Sequence, residues 1–326
     1  MRSDLHALEA PTLDEIRAAR ERLAGVTVRT PLVRLNAEVP GEIWLKLENL
    51  QPIGSFKLRG ATNAMRLAGP ERLAEGVYTA SAGNMAQGVA WSARGLGIQA
   101  TVVVPDHAPA TKLAAIERLG GRVLKVPFDR WWQVLQDHEY PGLPGLFIHP
   151  VADRAVIAGN GTVGLEILED LPGSEDIDEV LVPFGGGGLS CGIAVAFAAL
   201  RPSVPVYGCE VATAAPLSAS FAAGSAQLVD YHPSFVDGIG GKSLLPEMWP
   251  LVSRLLAGAR VVPLEEVAAA VRLLAERNRV IAEGAGATPV AAALARAEEG
   301  KRVVCVISGG NIDSAKLCAI LEGRVP

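Results

Sequence analysis

Short apolar runs alternate with longer stretches rich in alanine, leucine and arginine along most of the 326-residue chain. The short runs have the length and character of buried strands, whereas the longer stretches have the length of helices. Such alternation is typical of α/β proteins whose sheets are mostly parallel. The pattern predicts strands at 43–47, 76–78, 101–104, 122–126, 179–182, 204–208 and 302–307.

The segment 180–200 contains no charged residue and has the length of a membrane span. Pro183 and the four glycines at 185–188 interrupt any continuous helix there. We therefore interpret the segment as a buried strand, a glycine-rich loop and a helix, and we do not expect a membrane as partner.

The four consecutive glycines lie between this predicted strand and the helix that follows. Without Cβ atoms, backbone N–H groups can surround a phosphate at a helix N-terminus. The loop lacks the Gly-Lys-Ser/Thr ending of a nucleotide P-loop, and no register of its glycines completes Gly-x-Gly-x-x-Gly. The loop therefore predicts a binding site for the phosphate group of a ligand other than an ordinary nucleotide. The alternative is a purely structural turn.

Lys57 is one of only seven lysines, against 23 arginines, and it lies in the segment Ile-Gly-Ser-Phe-Lys-Leu-Arg-Gly at 53–60. This turn joins the predicted strand 43–47 to a predicted helix over 58–67. A lysine held there out of bulk water would have a lowered pKa and a neutral amine, which Schiff-base chemistry requires. Taken alone, the segment fits a solvated surface lysine at least as well.

Two further turns follow predicted strands. Residues 79–88 open an alanine-rich helix, so their backbone N–H groups could hold a carboxylate, with Asn84 as an additional donor. Residues 303–313 contain Ser-Gly-Gly-Asn, which places Ser308 at the carboxyl end of a strand, where α/β sheets bind ligands. Taken alone, the first turn could be an ordinary N-cap and the second a plain strand-to-helix turn.

Taken in order, the four segments resemble the fold-type II family of pyridoxal-phosphate enzymes, in the branch of threonine/serine dehydratases (ammonia-lyases) and serine racemases. The resemblance covers roughly residues 15–320, and its most specific parts are the Ser-Phe-Lys-x-Arg-Gly block and the four glycines. Leu58 argues against the cysteine synthase branch, which has aspartate after the lysine. The resemblance implies a two-lobed α/β fold like that of the tryptophan synthase β chain, with mostly parallel sheets and helices on both faces.

The resemblance also implies how the chain is divided. A large domain that binds pyridoxal phosphate is predicted from residues 1–73 and 149–326, and a small domain from residues 74–148, with the cofactor in the cleft between them. Biosynthetic threonine dehydratases append a regulatory domain, and no C-terminal regulatory domain is expected here. The expected oligomer is a homodimer.

The family holds its cofactor as a Schiff base, and the resemblance gives that catalytic role to Lys57. It implies that Phe56 packs against the cofactor, that Asn84 bonds its 3′-oxygen and that Ser308 faces its pyridine nitrogen. Two backbone turns would hold the phosphate and the substrate carboxylate. Their implied residues are Gly185, Gly186, Gly187, Gly188 and Leu189 for the phosphate, and Ser81, Ala82, Gly83 and Met85 for the substrate.

The predicted reaction is β-elimination from a small β-hydroxy amino acid, threonine or serine, to a 2-oxo acid and ammonia. A hydroxyl such as that of Ser308 cannot keep the pyridine nitrogen charged as a carboxylate would, which favours prompt loss of a β-substituent. An amino-acid racemase is the alternative. Racemases of this branch have a serine where Ala82 stands, and alanine cannot donate a proton. A non-catalytic, ligand-binding relative is a third hypothesis, which the intact Lys57 disfavours.

Several positions depart from the pattern of the branch. Met85 stands where histidine is usual, and Val151 and Arg154 could reshape the pocket for a bulkier or acidic 3-hydroxy amino acid, unless these changes lie outside the pocket. Glu210 matches a metal-binding loop of some relatives, but Pro216 stands where their second carboxylate lies. One carboxylate makes a weak magnesium or calcium site, so the metal ligands stay unassigned.

The formal net charge of −5, without a basic cluster, disfavours nucleic acid as a partner. The four cysteines form no Cys-x-x-Cys pair, and three lie in apolar runs, as in proteins of a reducing compartment. The first ten residues include acidic ones and no apolar core of a signal peptide. A cytoplasmic enzyme with a small amino-acid substrate is expected.

Overall fold

The computed structural model describes residues 8–173 and 176–326 and confirms the predicted α/β architecture. These ranges contain ten strands and twelve α-helices. The strands are β1 (Leu32–Arg34), β2 (Glu42–Lys46), β3 (Val77–Ala80), β4 (Ala100–Pro105), β5 (Gly121–Val126), β6 (Leu146–Phe147), β7 (Glu179–Pro183), β8 (Val206–Val211), β9 (Gly258–Val262) and β10 (Arg302–Val306). The helices are α1 (Leu13–Leu23), α2 (Lys57–Arg72), α3 (Asn84–Leu96), α4 (Ala110–Arg118), α5 (Phe128–Asp137), α6 (Arg154–Asp170), α7 (Gly188–Leu200), α8 (Pro216–Ala223), α9 (Trp249–Leu255), α10 (Leu264–Leu273), α11 (Gly284–Leu294) and α12 (Ser314–Leu321).

The strands form two sheets. The large sheet has the order β1-β2-β10-β7-β8-β9 and is parallel except for β1 against β2. The small sheet has the order β5-β4-β3-β6 and is entirely parallel. All strands of the small sheet come from residues 77–147. The division of the chain into domains at residues 74 and 148 stays a prediction.

Both faces of the large sheet are buried, because side chains alternate along each strand. In β10, Val303 and Cys305 contribute to one hydrophobic cluster, and Val304 and Val306 contribute to another. Helices α10, α11 and α12 cover the first cluster, and α6, α7 and α9 cover the second. Burial on both faces explains why these strands are continuous apolar runs in the sequence.

Three short strands escaped the sequence-based prediction: β1, β6 and β9. Each lies at an edge of its sheet and consists mostly of half-buried residues, so none has the apolar run of a central strand. The strand expected at 204–208 instead begins at Val206, because the Val204 N–H bonds the Arg201 carbonyl in a turn.

None of the described helices is both long enough and apolar enough to cross a membrane. The segment with the composition of a span divides as predicted into β7, the glycine loop and the 13-residue helix α7.

Candidate active site

The carboxyl ends of four parallel strands carry the segments singled out from the sequence. A turn after β2 leads to Lys57, the first residue of α2, and β3 leads to Asn84, the first residue of α3. The glycine loop follows β7, and Ser308 lies two residues beyond β10. In α/β sheets this is the end at which ligands bind.

Lys57 is half-buried, and its amine has one defined acceptor. Its Nζ donates to the Pro150 carbonyl oxygen at 2.7 Å and lies 5.2 Å from the centroid of the Phe56 ring. Burial lowers the pKa of the amine to about 8, against a smaller opposite effect of the Glu283 carboxylate. Part of the amine is therefore neutral near pH 7, as a nucleophilic lysine requires.

Backbone hydrogen bonds hold the lysine turn against the segment after β10. The Phe56 N–H donates to the Ser308 carbonyl oxygen at 3.0 Å, and Ser55 and Gly309 form an isolated β-bridge. The Ser308 side chain is buried beside this turn. The structure thus brings Phe56, Lys57 and Ser308 together from segments about 250 residues apart in sequence.

Three of the four glycines of the loop, Gly186 to Gly188, leave little room for a Cβ atom. A Cβ on Gly186 would lie 2.7 Å from a methyl group of Val151, and Gly187 has a φ of +99°. Helix α7 has Gly187 as its N-cap and no side-chain capping bond, so its first N–H groups are available to an anion. This arrangement fits the predicted phosphate cradle, in which Gly188 and Leu189 begin the helix.

Glu283 is a second ionisable group of the site, which the sequence analysis did not identify. Its Oε1 accepts from the Asn84 amide at 2.9 Å, while the Asn84 Oδ1 accepts from Asn311 at 2.8 Å. Burial, followed by repulsion from Asp237, raises the pKa of Glu283 to about 7. The signal in the sequence was an isolated acid immediately before a Gly-Ala-Gly helix start.

Glycines around Glu283 connect it to the other segments. A Cβ on Gly309 would lie 2.6 Å from the Glu283 Oε1, and a Cβ on Gly238 would lie 3.4 Å from the same atom. A Cβ on Gly185 would lie 3.4 Å from the Gly238 carbonyl oxygen. The phosphate loop, Glu283, Asn84 and the Ser308 segment therefore surround one cleft.

The turn predicted to hold a substrate carboxylate precedes α3. Its N-cap, Gly83, makes no side-chain capping bond, and the Ser81 hydroxyl accepts the Gly83 N–H at 3.2 Å. Ala82 is half-buried beside a small apolar cluster. Met85 requires a correction, because its side chain is buried with Ala61, Met65 and Val89 instead of lining the cleft. Only its backbone could contact a substrate.

Two of the positions that depart from the branch pattern have clear locations. Val151 lies against the glycine loop. Arg154 pairs with Glu15 at 2.7 Å and with Glu9 at 3.0 Å. Its charge is neutralised by these two carboxylates, so the structure gives no support to an extra cation in a pocket for acidic substrates.

Glu210 is engaged in capping a helix. Its two carboxylate oxygens accept the N–H groups of Leu217 and Ser218 at 2.8 and 2.9 Å, at the start of α8. Burial raises its pKa to about 7. With Pro216 beside it and no second carboxylate in this loop, these residues do not fit a divalent-ion site.

The cleft fits the cofactor that the sequence resemblance implied. Pyridoxal phosphate has a phosphate for the uncapped α7 N-terminus, an aldehyde for the Lys57 amine and a pyridine nitrogen for a neutral hydroxyl such as that of Ser308. Two observations test this fit: burial lowers the pKa of the Lys57 amine, and Gly186 to Gly188 leave little room for Cβ atoms.

Comparison with known proteins agrees with this fit. Residues 23–309 match the family described as pyridoxal-phosphate dependent enzyme. An L-threonine ammonia-lyase of Thermotoga maritima is 43% identical over 309 residues, which are 93% of this chain and 76% of that protein. The structure of maize serine racemase is 32% identical with a TM-score of 0.84, covering 96% of this chain and 98% of that one.

The processed form of threonine deaminase isoform 2 from Solanum lycopersicum is 31% identical with a TM-score of 0.83, covering 98% of this chain and 97% of that one. The chain therefore belongs to the pyridoxal-phosphate dependent enzymes, in the fold-type II branch of threonine/serine dehydratases, with pyridoxal phosphate as its cofactor.

Proposed function

We propose that the protein is an ammonia-lyase that converts L-threonine to 2-oxobutanoate and ammonia, and that it also accepts L-serine. The observation that carries the proposal is the Lys57 amine, which has a pKa of about 8 and is bonded to Pro150, the residue before the Val151 that packs on the glycine loop. Its support in sequence is the 43% identity to the L-threonine ammonia-lyase of Thermotoga maritima.

The residues that would hold the cofactor lie around the cleft. Lys57 would bind its aldehyde, Phe56 would pack against its ring, Asn84 would bond its 3′-oxygen and Ser308 would face its pyridine nitrogen. Gly185 to Leu189 would enclose its phosphate. When bound, pyridoxal phosphate supplies delocalisation of the electron pair that remains on Cα after proton removal.

The protein's own contribution is proton transfer and orientation. The neutral Lys57 amine accepts the Cα proton, and the resulting ammonium is the acid available to the departing β-hydroxyl. N–H groups of the turn from Ser81 to Asn84 hold the substrate carboxylate at the uncapped start of α3. The reaction balances, because the water lost in the elimination is matched by the water consumed in the hydrolysis. The net products of L-threonine are 2-oxobutanoate and ammonia.

Racemisation is the second candidate, because maize serine racemase is among the similar structures. It requires an acid on the cofactor face opposite Lys57, and Ala82 has none to offer. The nearby Ser81 hydroxyl accepts the Gly83 N–H, and residue 81 is not the position at which racemases of this branch have their serine. We therefore place elimination first.

The test uses the purified protein loaded with pyridoxal phosphate and a panel of L-threonine, L-serine, phenylserine and 3-hydroxyaspartate. We expect 2-oxo acid and ammonia from L-threonine. Lys57→Ala should lose this activity, whereas Lys242→Ala, the control at an exposed lysine, should keep full activity. Borohydride reduction and peptide mapping should label Lys57 alone. Label on Lys46 or Lys242, or preferential use of 3-hydroxyaspartate, would contradict the proposal.

We also propose a homodimer that works in the cytoplasm. The first part rests on the family resemblance, and the second is supported by three buried free cysteines, which suit a reducing compartment. Sedimentation analysis of the loaded enzyme should give twice the mass of the chain, and a monomer would refute the first part.

A further inference from the structure

His149 is a buried imidazole that the proposed reaction does not use. Its Nδ1 accepts the N–H groups of Ala152 at 2.6 Å and Val151 at 3.0 Å. Its Nε2 lies 3.2 Å from the carbonyl oxygen of Leu135, in α5. A nitrogen that accepts two N–H donors carries no hydrogen, so the ring is neutral with its hydrogen on Nε2.

The neutral form is also the form that the surroundings favour. Burial, together with the neighbouring His138 and Lys57, lowers the pKa of His149 to about 3, against a smaller opposite effect of its hydrogen bond to Leu135. The imidazole therefore keeps the same hydrogen-bonding pattern over the whole range in which the enzyme would work.

The segment tied by His149 contacts the active site twice. The Pro150 carbonyl oxygen accepts the Lys57 amine at 2.7 Å. A Cβ on Gly186 would lie 2.7 Å from the Val151 Cγ1, and one on Gly188 would lie 3.2 Å from the Val151 carbonyl oxygen. The Pro150 carbonyl and the Val151 N–H belong to one planar peptide unit, so the bond from that N–H to His149 also fixes the orientation of the carbonyl.

A metal site is the competing explanation, since His138, His149 and Glu247 place possible ligand atoms within 4.8 Å of one another. Both nitrogens of His149 are already hydrogen-bonded, and the His138 Nε2 lies 2.9 Å from the Glu247 carboxylate. The His138 ring instead stacks on that of His149, with centroids 4.4 Å apart. The three side chains form a packed polar cluster.

We propose that His149 is a positioning residue for the catalytic lysine. By fixing residues 149–152, it holds the Pro150 carbonyl oxygen at the Lys57 Nζ and so directs the amine towards the cofactor aldehyde. The inference rests on the proposed role of Lys57. A displacement of the amine of about 1 Å would be enough to slow bond formation by up to about 100-fold.

The test measures capture of pyridoxal phosphate by the apoprotein, without substrate, from the absorbance of the lysine Schiff base. His149→Asn places an amide oxygen near the Nδ1 position and keeps the acceptor, whereas His149→Gln keeps a polar amide near Nε2 and loses that acceptor. We expect the Gln variant to capture the cofactor at least about tenfold more slowly, and the Asn variant to stay within about threefold of the parent.

Equal capture rates in the parent and the Gln variant would overturn the inference, as would an Asn variant no faster than the Gln variant. Borohydride label on a lysine other than Lys57 would refute the catalytic lysine itself, so the two failures are distinguishable.

Nitrogen NMR of the unmodified protein gives an answer that needs no variant. His149 should be the neutral Nε2–H tautomer from about pH 5 to 9, and titration or an Nδ1–H tautomer in that range would overturn the assignment.

Discussion

Lys57 and Glu283 are both held away from their ordinary ionisation behaviour by burial. The pKa of the lysine falls to about 8 and that of the glutamate rises to about 7, so both approach the pH at which proton transfer is effective. Each shift disfavours the charged form that water would stabilise. The reactive groups of the cleft therefore reduce the stability of the folded chain.

Replacing Lys57 by methionine is expected to stabilise the apoprotein at neutral pH. The native pKa of about 8 lies below the ordinary 10.5, so the penalty is fully present below pH 8 and disappears as the pH rises towards 10.5. The shift corresponds to about 3 kcal/mol, and partial exposure of the side chain lowers the expected gain to about 1–2 kcal/mol. Urea unfolding at pH 7 and pH 10 measures this, and a gain that does not shrink at the higher pH would contradict it.

Ala82 should decide between elimination and racemisation. With L-serine, the parent is expected to give pyruvate and little D-serine, because the face opposite Lys57 has no acid at residue 82. Ala82→Ser should raise the ratio of D-serine to pyruvate by about tenfold, since a positioned proton donor is worth at least that much.

Chiral chromatography of the products measures the ratio, and Ala82→Val is the control that adds bulk without a donor. Abundant D-serine from the parent would mean that another group supplies the proton.

Helix α2, which begins at the catalytic lysine, is anchored by a buried network of charges. Arg59 contacts Glu48 at 2.7 Å and Glu166, in α6, at 2.7 Å, while Lys46, in β2, contacts Glu166 at 2.6 Å. Two positive and two negative groups balance, and the side chains of all four are at most 7% exposed. The network joins β2, α2 and α6 behind Lys57.

Arg59→Met is expected to lower the free energy of unfolding by about 3–5 kcal/mol, because the buried Glu48 would lose its salt bridge and the buried Glu166 would keep only Lys46. Arg272→Met is the matched control, since its pair with Glu276 is nearly half exposed on both sides and worth about 0.5 kcal/mol. Denaturant unfolding of the apoproteins compares them. Similar losses in the two variants would show that the buried network does not support the lysine helix.

Removing divalent cations should leave the enzyme unchanged, because the start of α8 already satisfies the Glu210 carboxylate. After dialysis against EDTA, we expect the same melting temperature and the same rate with L-threonine. Restoring magnesium or calcium provides the control. A clear loss with EDTA that either ion reverses would show that Glu210 changes partners to bind a metal.

The functional segments that could be predicted from the sequence are those with a local signal. Lys57, the glycine loop and Ser308 each follow an apolar strand and stand among small residues. Pro150 and Glu283 could not be recognised in this way, because their importance depends on partners 93 and 199 residues away, Lys57 and Asn84, and the only local sign of Glu283 is the Gly-Ala-Gly that follows it. Edge strands were missed for a related reason, since their burial depends on neighbours and not on their own composition.

Polar contacts connect the two sheet-bearing parts of the chain across the cleft. Asn84 donates to Glu283 at 2.9 Å, Lys112 pairs with Asp237 at 2.8 Å, and the His138 Nε2 lies 2.9 Å from Glu247. In each pair the first residue lies within 74–148 and the second outside it. The parallel sheets could be predicted from the apolar runs in the sequence. The polar pairs named above could not, because their partners form no recognisable pattern along the chain.

The place of β10 within the large sheet determines when the cleft can be completed during synthesis. Residues 302–306 lie between β2 and β7, whereas the small sheet uses only residues 77–147. A chain that emerges from its N-terminus can pair the small sheet early, while the two halves of the large sheet still lack the strand that joins them. The turn that carries Phe56 and Lys57 also lacks its backbone partner until Ser308 has been synthesised.

Hydrogen exchange of ribosome-bound chains that end before residue 302 should therefore show protection of β3 and β4 but not of β2, and protection of β2 in such chains would contradict this order. Such a chain would carry Lys57 without its finished enclosure, and its amine would be mostly charged at neutral pH because the burial that lowers its pKa is not yet complete. The strand order thus delays assembly of the reactive site until nearly the whole described chain has been made.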